Sequence, residues 1–395
     1  MTRPDLVFAV SAALIFHAYA GYPLLLAVVT RIRSRWPRRR GESGNRDPDW
    51  PRVSVMLPAH DEAAVIGARL DNLLALNYPA DRLEVIVGSD ASTDGTADVA
   101  RRREDSRISV VDSRARRGKT ALLNDMVALS TGEVIAFTDA NCAWNRDALR
   151  HLVAPLAADD VGCVIGELRY VNLDQPTVRS GEGLYWRYEN AIKEMESSLR
   201  GTLVANGSIY ALRRGLCRTL PAEISDDSAN PLLVLRDGFR VVFERRAVAR
   251  ENAAASLTEE FHRKARMVTR QLGSHRLVRA FLWPPRPGLA FRLASHKLLR
   301  WLVPVLAAVC LLIAASQAAR PFYGAVLVLA AAGATAAGVG GLLLARGRGL
   351  SRWWRLWVYL WMVNLAALRG LYDFIIGRRR AVWRVSQSTR RGLRP

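Results

Sequence analysis

The sequence predicts an α/β domain flanked by membrane-spanning helices. Short apolar runs alternate with helix-like stretches through the first third of the chain. Long runs without Asp, Glu, Lys or Arg lie towards both ends. Polar residues cluster just after the short apolar runs, which is where a parallel sheet would present them.

The first uncharged run covers residues 6–29. A bilayer core needs about 20 apolar residues as helix. A cleavable signal peptide would have a shorter apolar region and a small-x-small site after it. Here Arg31, Arg33, Arg35, Arg38, Arg39 and Arg40 come next instead. Residues 1–30 therefore read as an uncleaved anchor and 31–51 as a basic linker. The arginines put the domain after them in the cytoplasm and the chain in the cell (inner) membrane.

From residue 52 the pattern changes. Residues 53–57 (VSVML), 83–87 (LEVIV), 108–111 and 134–138 (VIAFT) are short apolar runs. The stretches between them read as helices. Strand–helix alternation implies βαβ units and a parallel sheet, and near-continuous apolar strands imply cover on both faces. The domain is expected over 52–275.

Residues 276–300 are expected to lie at the membrane interface. Residues 301–319 and 321–345 are uncharged, with Arg320 between them, and read as a transmembrane hairpin. The second run is rich in Gly and Ala, which allows close helix packing in lipid. Within 346–395 the apolar stretch is only 356–368, interrupted by Arg369 and Asp373. Trp354, Trp357 and Trp361 recur there at helical spacing, as in an interfacial helix. A span there would put Arg378, Arg379 and Arg380 outside, against the positive-inside rule.

Lys plus Arg is 57 against 36 Asp plus Glu, a net charge of +21. Much of that excess flanks the membrane segments, which suits anionic lipid headgroups as partners. Nucleic acid is excluded as a partner, because no nucleic-acid-binding signature is present. Cys142, Cys163, Cys217 and Cys310 are scattered, so neither a zinc site nor a disulfide framework is expected. Scarce charge inside the membrane runs argues against a transporter.

His60, Asp61 and Glu62 follow the first strand, Asp90 the second, and Asp139 and Asn141 the fourth. Carboxylates gathered there would repel a bare phosphate. A divalent cation, Mg²⁺ or Mn²⁺, reverses that sign by bridging oxygens to phosphate. Singly, each motif has a plainer reading. Residues 89–95 also fit a turn and helix cap, and Arg117-Gly118-Lys119 also fits a solvated basic turn. Four such features in strand-end order make coincidence a poor explanation.

These residues resemble a family 2 glycosyltransferase with the Rossmann-like type A nucleotide-sugar fold, related to the hyaluronan, chitin and cellulose synthase-like enzymes. VSVMLPAHDEAAVIG is similar to that family's first strand and nucleotide-binding turn, and GSDASTDGTADVA to its second strand and uridine-contacting aspartate. RRGKTALLN and VIAFTDAN are similar to its basic segment and its Asp-x-Asp metal motif. The resemblance implies that Pro58, Ala59 and Glu62 border the nucleotide, that Asp90 reads the base and that Lys119 lies near it. It implies Asp139 and Asn141 as metal ligands on the diphosphate, with Asn141 replacing the second aspartate.

Ile224-Ser225-Asp226-Asp227 resembles the Thr-Glu-Asp acceptor motif of the processive synthases, which makes Asp227 the expected catalytic base, with Asp226 beside it. Arg263-Lys-Ala-Arg266-Met267 stands where those synthases carry Gln-x-x-Arg-Trp, and implies Arg266 as a clamp on the leaving diphosphate. The change from Trp to Met267 removes a stacking surface for a sugar. Tyr185, Trp186 and Asn206 fit an acceptor region by resemblance.

The expected function is a membrane-bound inverting glycosyltransferase using a nucleoside-diphosphate sugar, UDP-sugar foremost, and a lipid-linked saccharide or glycan acceptor. A processive polysaccharide synthase and a non-catalytic nucleotide-sugar sensor or assembly subunit are the alternatives.

Overall fold

The structure, a computed structural model, describes residues 2–34, 49–171, 179–199, 201–254, 256–282 and 287–378. Arg35, Arg38, Arg39 and Arg40, linker residues 41–48 and tail residues Arg379 and Arg380 lie outside the described residues.

The chain opens with α1 (Arg3–Phe16) and α2 (Tyr22–Ser34), joined through one π turn, His17–Gly21. Then come β1 (Val53–Ala59), α3 (Ala63–Leu74), β2 (Leu83–Asp90), α4 (Thr96–Arg101), β3 (Ile108–Ser113), α5 (Lys119–Leu129) and β4 (Val134–Phe137). This is the expected alternation. β5 (Cys142–Trp144), α6 (Ala148–Val153), β6 (Val161–Val171), α7 (Arg179–Leu199), β7 (Tyr210–Arg213), α8 (Asp226–Arg236) and β8 (Arg240–Asn252) complete the domain. The chain then runs through α9 (Leu257–Leu282), α10 (Pro287–Leu293), α11 (Leu299–Ser316), α12 (Pro321–Ala345) and α13 (Arg352–Ile375).

The sheet order is β3-β2-β1-β4-β7-β6-β8-β5. The first four strands are parallel, as expected. The other half corrects the expectation of a parallel sheet. β7 runs antiparallel to β4 and β6, β8 is parallel to β6, and β5 is antiparallel to β8. The sheet is mixed because β7, inserted between β4 and β6, runs against both.

β1 shows why both faces are apolar. Val53, Val55 and Leu57 pack with Ile66, Leu70 and Leu73 of α3, while Met56 packs with Leu122 and Met126 of α5 on the opposite face. Period-2 alternation sends neighbours to opposite faces, so a strand covered twice must be apolar throughout. Each such burial contributes about 1.5–3 kcal/mol. α5 sits so close to β2 that a Cβ on Gly88 would meet Met126 Sδ at 2.5 Å. The four cysteines are free thiols.

Among the described residues three helices are long and apolar enough to cross a membrane by length and composition: Arg3–Arg33, Pro287–Ser316 and Pro321–Ala345. α10, a π turn over Ala294–Leu298 and α11 run on as one helical stretch from Pro287 to Ser316, so the boundary expected at 300/301 falls inside it. Lys297 and Arg300 interrupt the apolar run but both turn onto Glu189 of α7. α13 packs along α9 with Tyr359, Met362 and Ala366 buried, while Trp353, Leu365 and Ile375 stay exposed.

Candidate active site

A cavity of about 440 Å³ opens at the carboxyl ends of β1 and β4, closed on its other sides by the start of α8 and one face of α9. Strained backbone marks the strand ends beside it: Asp61 after β1 and Ala91 after β2 both have positive φ, 50° and 53°. Such conformations cost about 1–3 kcal/mol and persist where the surroundings enforce them.

Pro58 and Glu62 line the cavity, whereas Ala59 packs into the core behind it. Asp90 also lies behind it, fully buried. Its Oδ1 accepts from the Arg117 amide at 2.8 Å and its Oδ2 from the Gly118 amide at 2.9 Å. Gly118 reaches that position with φ of 93°, open to glycine at little steric cost. Asp90 thus fixes the turn that delivers Lys119, and a role as base reader needs an approach past that turn.

Lys119 Nζ lies 2.5 Å from Asp139 Oδ1. Burial works against its charge, but Asp139 and Asp226 hold the ammonium above its ordinary value. Arg69 of α3 supports Asp139 from beneath, donating to the Asp139 carbonyl at 3.3 Å and to Thr138 Oγ1 at 2.6 Å. Ser208 Oγ lies 3.2 Å from both Asp139 Oδ2 and Glu251 Oε2. Asn141 Nδ2 donates to Glu251 Oε1 at 2.9 Å. Glu251 closes β8, where burial first, and then Asp139's charge, push its carboxyl up to about 7.

The Asp226-Asp227 pair opens α8. Asp226 is 4% exposed and accepts from the Tyr210 hydroxyl at 2.8 Å. Asp227 is half-buried, lines the cavity and accepts from Ser225 Oγ at 2.5 Å. Its pKa is raised, first by burial and then by the adjacent Asp226 charge, against the pull of Lys119 and Arg270. The sequence-predicted groups meet at Gly207. A Cβ there would lie 3.3 Å from Lys119 Nζ, 3.5 Å from Asp139 Oδ2 and 3.6 Å from Asp227 Oδ2. Residues distant in the chain thus share one small open cradle.

Arg263, Arg266 and Arg270 of α9 face the same cavity at helical spacing. Arg263 bonds Glu260 at 2.7 Å and Tyr170 at 2.8 Å, and Arg270 bonds the Ile224 carbonyl at 2.7 Å. Among the described residues Arg266 has no hydrogen-bond or ion-pair partner. Burial, then the charges of Arg270 and Arg263, push it down to about 10. Such a guanidinium is primed for an anion.

Of the acceptor candidates, Trp186 and Asn206 line this cavity, whereas Tyr185 lines a neighbouring one. Asn206 is already engaged, accepting from Lys193 Nζ and donating to the Gly166 carbonyl. Sequence reasoning assigned no role to Glu251, Arg69 or Arg270. Ser208 closes the Ala205-Asn206-Gly207-Ser208 stretch, which fits an acceptor region by resemblance, and the structure sets its hydroxyl beside Asp139 and Glu251. Glu251 ends a strand with no motif around it.

The donor set fits a hard divalent cation: the Asp139 carboxylate and Asn141 amide oxygen beside an open cradle, all oxygen ligands. Among the described residues no group of three His, Cys, Asp or Glu could hold a metal unaided. A cation held there would need further ligands from outside these side chains.

Residues 54–220 match the family model "Glycosyl transferase family 2". The "Probable glycosyltransferase YdaM" of Bacillus subtilis is 38% identical over 128 residues, 31% of this chain and 30% of that protein. The "Beta-monoglucosyldiacylglycerol synthase" of Nostoc sp. is 35% identical over 118 residues, 29% of this chain and 25% of that protein. The chain thus spans under a third of the length of these curated relatives. Among solved structures, mannosyltransferase PcManGT from Pyrobaculum calidifontis, in complex with GDP-Man and Mn²⁺, is similar at a TM-score of 0.71 and 26% identity. That match covers 93% of this chain and 99% of the other.

Proposed function

We propose that this chain, whose residues 54–220 match the family 2 glycosyltransferase model, is a family 2 glycosyltransferase that moves one sugar from a nucleoside-diphosphate sugar to a lipid-linked saccharide or glycan acceptor, with inversion. The convergence of Lys119, Asp139 and Asp227 on Gly207, in the cavity that Arg266 also lines, carries this reading.

Asp227 accepts the proton of the acceptor hydroxyl as that oxygen attacks the anomeric carbon from the face opposite the diphosphate. A carboxylate raised towards neutrality suits this task, because general-base catalysis is most effective with a pKa near the working pH. The bond from the anomeric carbon to the β-phosphate oxygen breaks, and the diphosphate leaves with the electron pair. Arg266 and Lys119 stabilise that developing charge, which is usually the largest catalytic contribution. Asp139 and Asn141 would hold Mg²⁺ or Mn²⁺, which supplies further positive charge on the diphosphate when bound. Glu251 and Ser208 orient those two ligands.

The similar PcManGT was solved with GDP-Man, so a GDP-sugar joins the UDP-sugar expected from the sequence. The three membrane-length helices and the exposed Arg31 and Arg33 at the end of α2 support a membrane-embedded chain with the catalytic domain, residues 52–275, on the cytoplasmic side. The test gives purified membranes a panel of UDP- and GDP-sugars, with and without Mn²⁺, and examines products by mass spectrometry. A Mn²⁺-dependent product one sugar heavier than its acceptor is expected. Nucleotide binding with no donor consumed overturns the reading in favour of a sensor. Long homopolymers overturn single transfer.

A further inference from the structure

A second cavity, of about 110 Å³, adjoins the first, and Trp186, Asn206 and Met267 belong to the walls of both. Its far wall is membrane-side: Tyr19 of the π turn, Trp301 of α11 and Val363 of α13. The cavity therefore lies between the donor site and the apolar helices.

Its lining carries more positive charge than it balances. Lys193, Lys264, Lys297 and Arg300 face it together with a single carboxylate, Glu189. Glu189 is already shared, ion-paired with Arg300 and 3.5 Å from Lys297 Nζ. Lys264 is 3.5 Å from Glu260, whose other oxygen bonds Arg263 at 2.7 Å. Lys193 is 3% exposed, and among the described residues it has no carboxylate within ion-pair distance. Its Nζ donates to Asn206 Oδ1 at 2.5 Å and lies 5.4 Å from the Trp186 ring centroid. Lys264 Nζ is 5.3 Å from the same ring, and Trp186 Nε1 is buried without a hydrogen-bond partner. Burial and the charge of Lys297 push the Lys193 ammonium down to about 8, against the more distant pull of Glu189, Asp227 and Glu196.

A buried ammonium with no carboxylate at ion-pair distance is destabilising. An anion in the cavity gives Lys193 such a partner, adds one to Lys297 beside its share of Glu189 and offers Trp186 Nε1 an acceptor. The cavity has a quarter of the donor site's volume, which suits a compact anionic group. We propose that this second cavity binds the phosphate of the acceptor lipid, through Lys193 and Lys297, so that the acceptor is an anionic membrane lipid whose headgroup passes Trp186 and Asn206 to reach Asp227. This rests on the donor-site reading above for its orientation, since the shared wall leads to the proposed base.

The test measures equilibrium binding of decyl phosphate, decanol and inorganic phosphate to the full-length protein in detergent. Decyl phosphate is expected to bind, and Lys193→Met and Lys297→Met are each expected to weaken it about tenfold or more, as for loss of a hydrogen bond to a charged group. Lys193→Arg is expected to restore most of the binding. UDP and GDP binding with Mn²⁺, measured on the same samples, is expected to persist in all three variants and shows that they are folded. Wild-type affinity for decyl phosphate in both Met variants overturns the proposal. So does decanol binding equally well, which indicates a neutral lipid, or inorganic phosphate binding equally well, which indicates a free-anion site. Failure of nucleotide binding in the wild type strikes the donor reading alone, because the decyl phosphate measurement does not depend on it.

Discussion

Asp227 and Asp226 are neighbours with different surroundings, and the difference divides their roles. Both line the cavity, but Asp226 accepts from Tyr210 while Asp227 lies beside Lys119 and Asp139. If Asp227 must be unprotonated to act, its raised pKa moves the acid limb of the rate profile up from where an ordinary aspartate would put it. Removing the Asp226 charge lowers that pKa, so Asp226→Asn should move the acid limb to lower pH in a kcat profile; an unmoved limb assigns it to another group. Arg266→Ala removes the unpartnered guanidinium and should reduce kcat/KM by roughly 10- to 100-fold, the scale of a hydrogen bond to a charged group, measured by donor titration. Glu251→Gln leaves Asn141 and Ser208 less well held and should weaken Mn²⁺ binding in the presence of nucleotide roughly 10- to 100-fold, the usual effect of losing an orienting partner, measured by calorimetry. Asp139, Asp227 and Lys119 were legible in the sequence because strand ends and short motifs flag them. Glu251 was not, since a lone glutamate in an alternating strand looks like any solvent-facing residue until its neighbours fold around it. Asp90 was legible as important, but not as the acceptor of two amides that fixes the turn before Lys119.

At the scale of elements, β1 to β4 were legible because each is an apolar run bounded by turn residues, whereas the mixed half of the sheet was not. β5 has three residues, too few to show a period. β8 carries Arg245 and Arg246 mid-strand, which break its apolar pattern although Val241 and Ala249 are buried on the core side. The helix starting at Pro287 was hidden by Lys297 and Arg300, whose charges looked incompatible with an apolar helix until Glu189 appeared opposite them. The packing of α5 on β2 makes a prediction of this scale. Gly88→Val must displace Met126 and Leu122, and with them the helix that begins at Lys119. A loss of about 1–3 kcal/mol in stability, the usual cost of overpacking, should appear in thermal unfolding.

The whole molecule joins its two parts through buried polar groups. Tyr22 of α2 donates to Glu196 of α7 at 2.6 Å, and His296, in the π turn before α11, lies 2.8 Å from the same carboxylate. Arg300 ties α11 to Glu189 and Tyr188 of α7, and Tyr19 bonds Asn364 of α13 at 3.1 Å. This arrangement holds α7, and with it Trp186 and Lys193, at the junction of the two cavities. Composition alone showed that positive charge flanks the membrane segments; it could not show that part of this charge, Lys297 and Arg300, is buried on Glu189. The central claim is that Asp139 and Asp227, far apart in the chain, serve one donor in different ways. The most direct measurement compares Asp139→Asn and Asp227→Asn for Mn²⁺-dependent nucleotide binding and for single-turnover transfer. The account predicts that Asp139→Asn loses Mn²⁺-dependent binding, and that Asp227→Asn keeps it while transfer falls roughly 10²- to 10⁴-fold. Transfer by Asp227→Asn at the wild-type rate would contradict it.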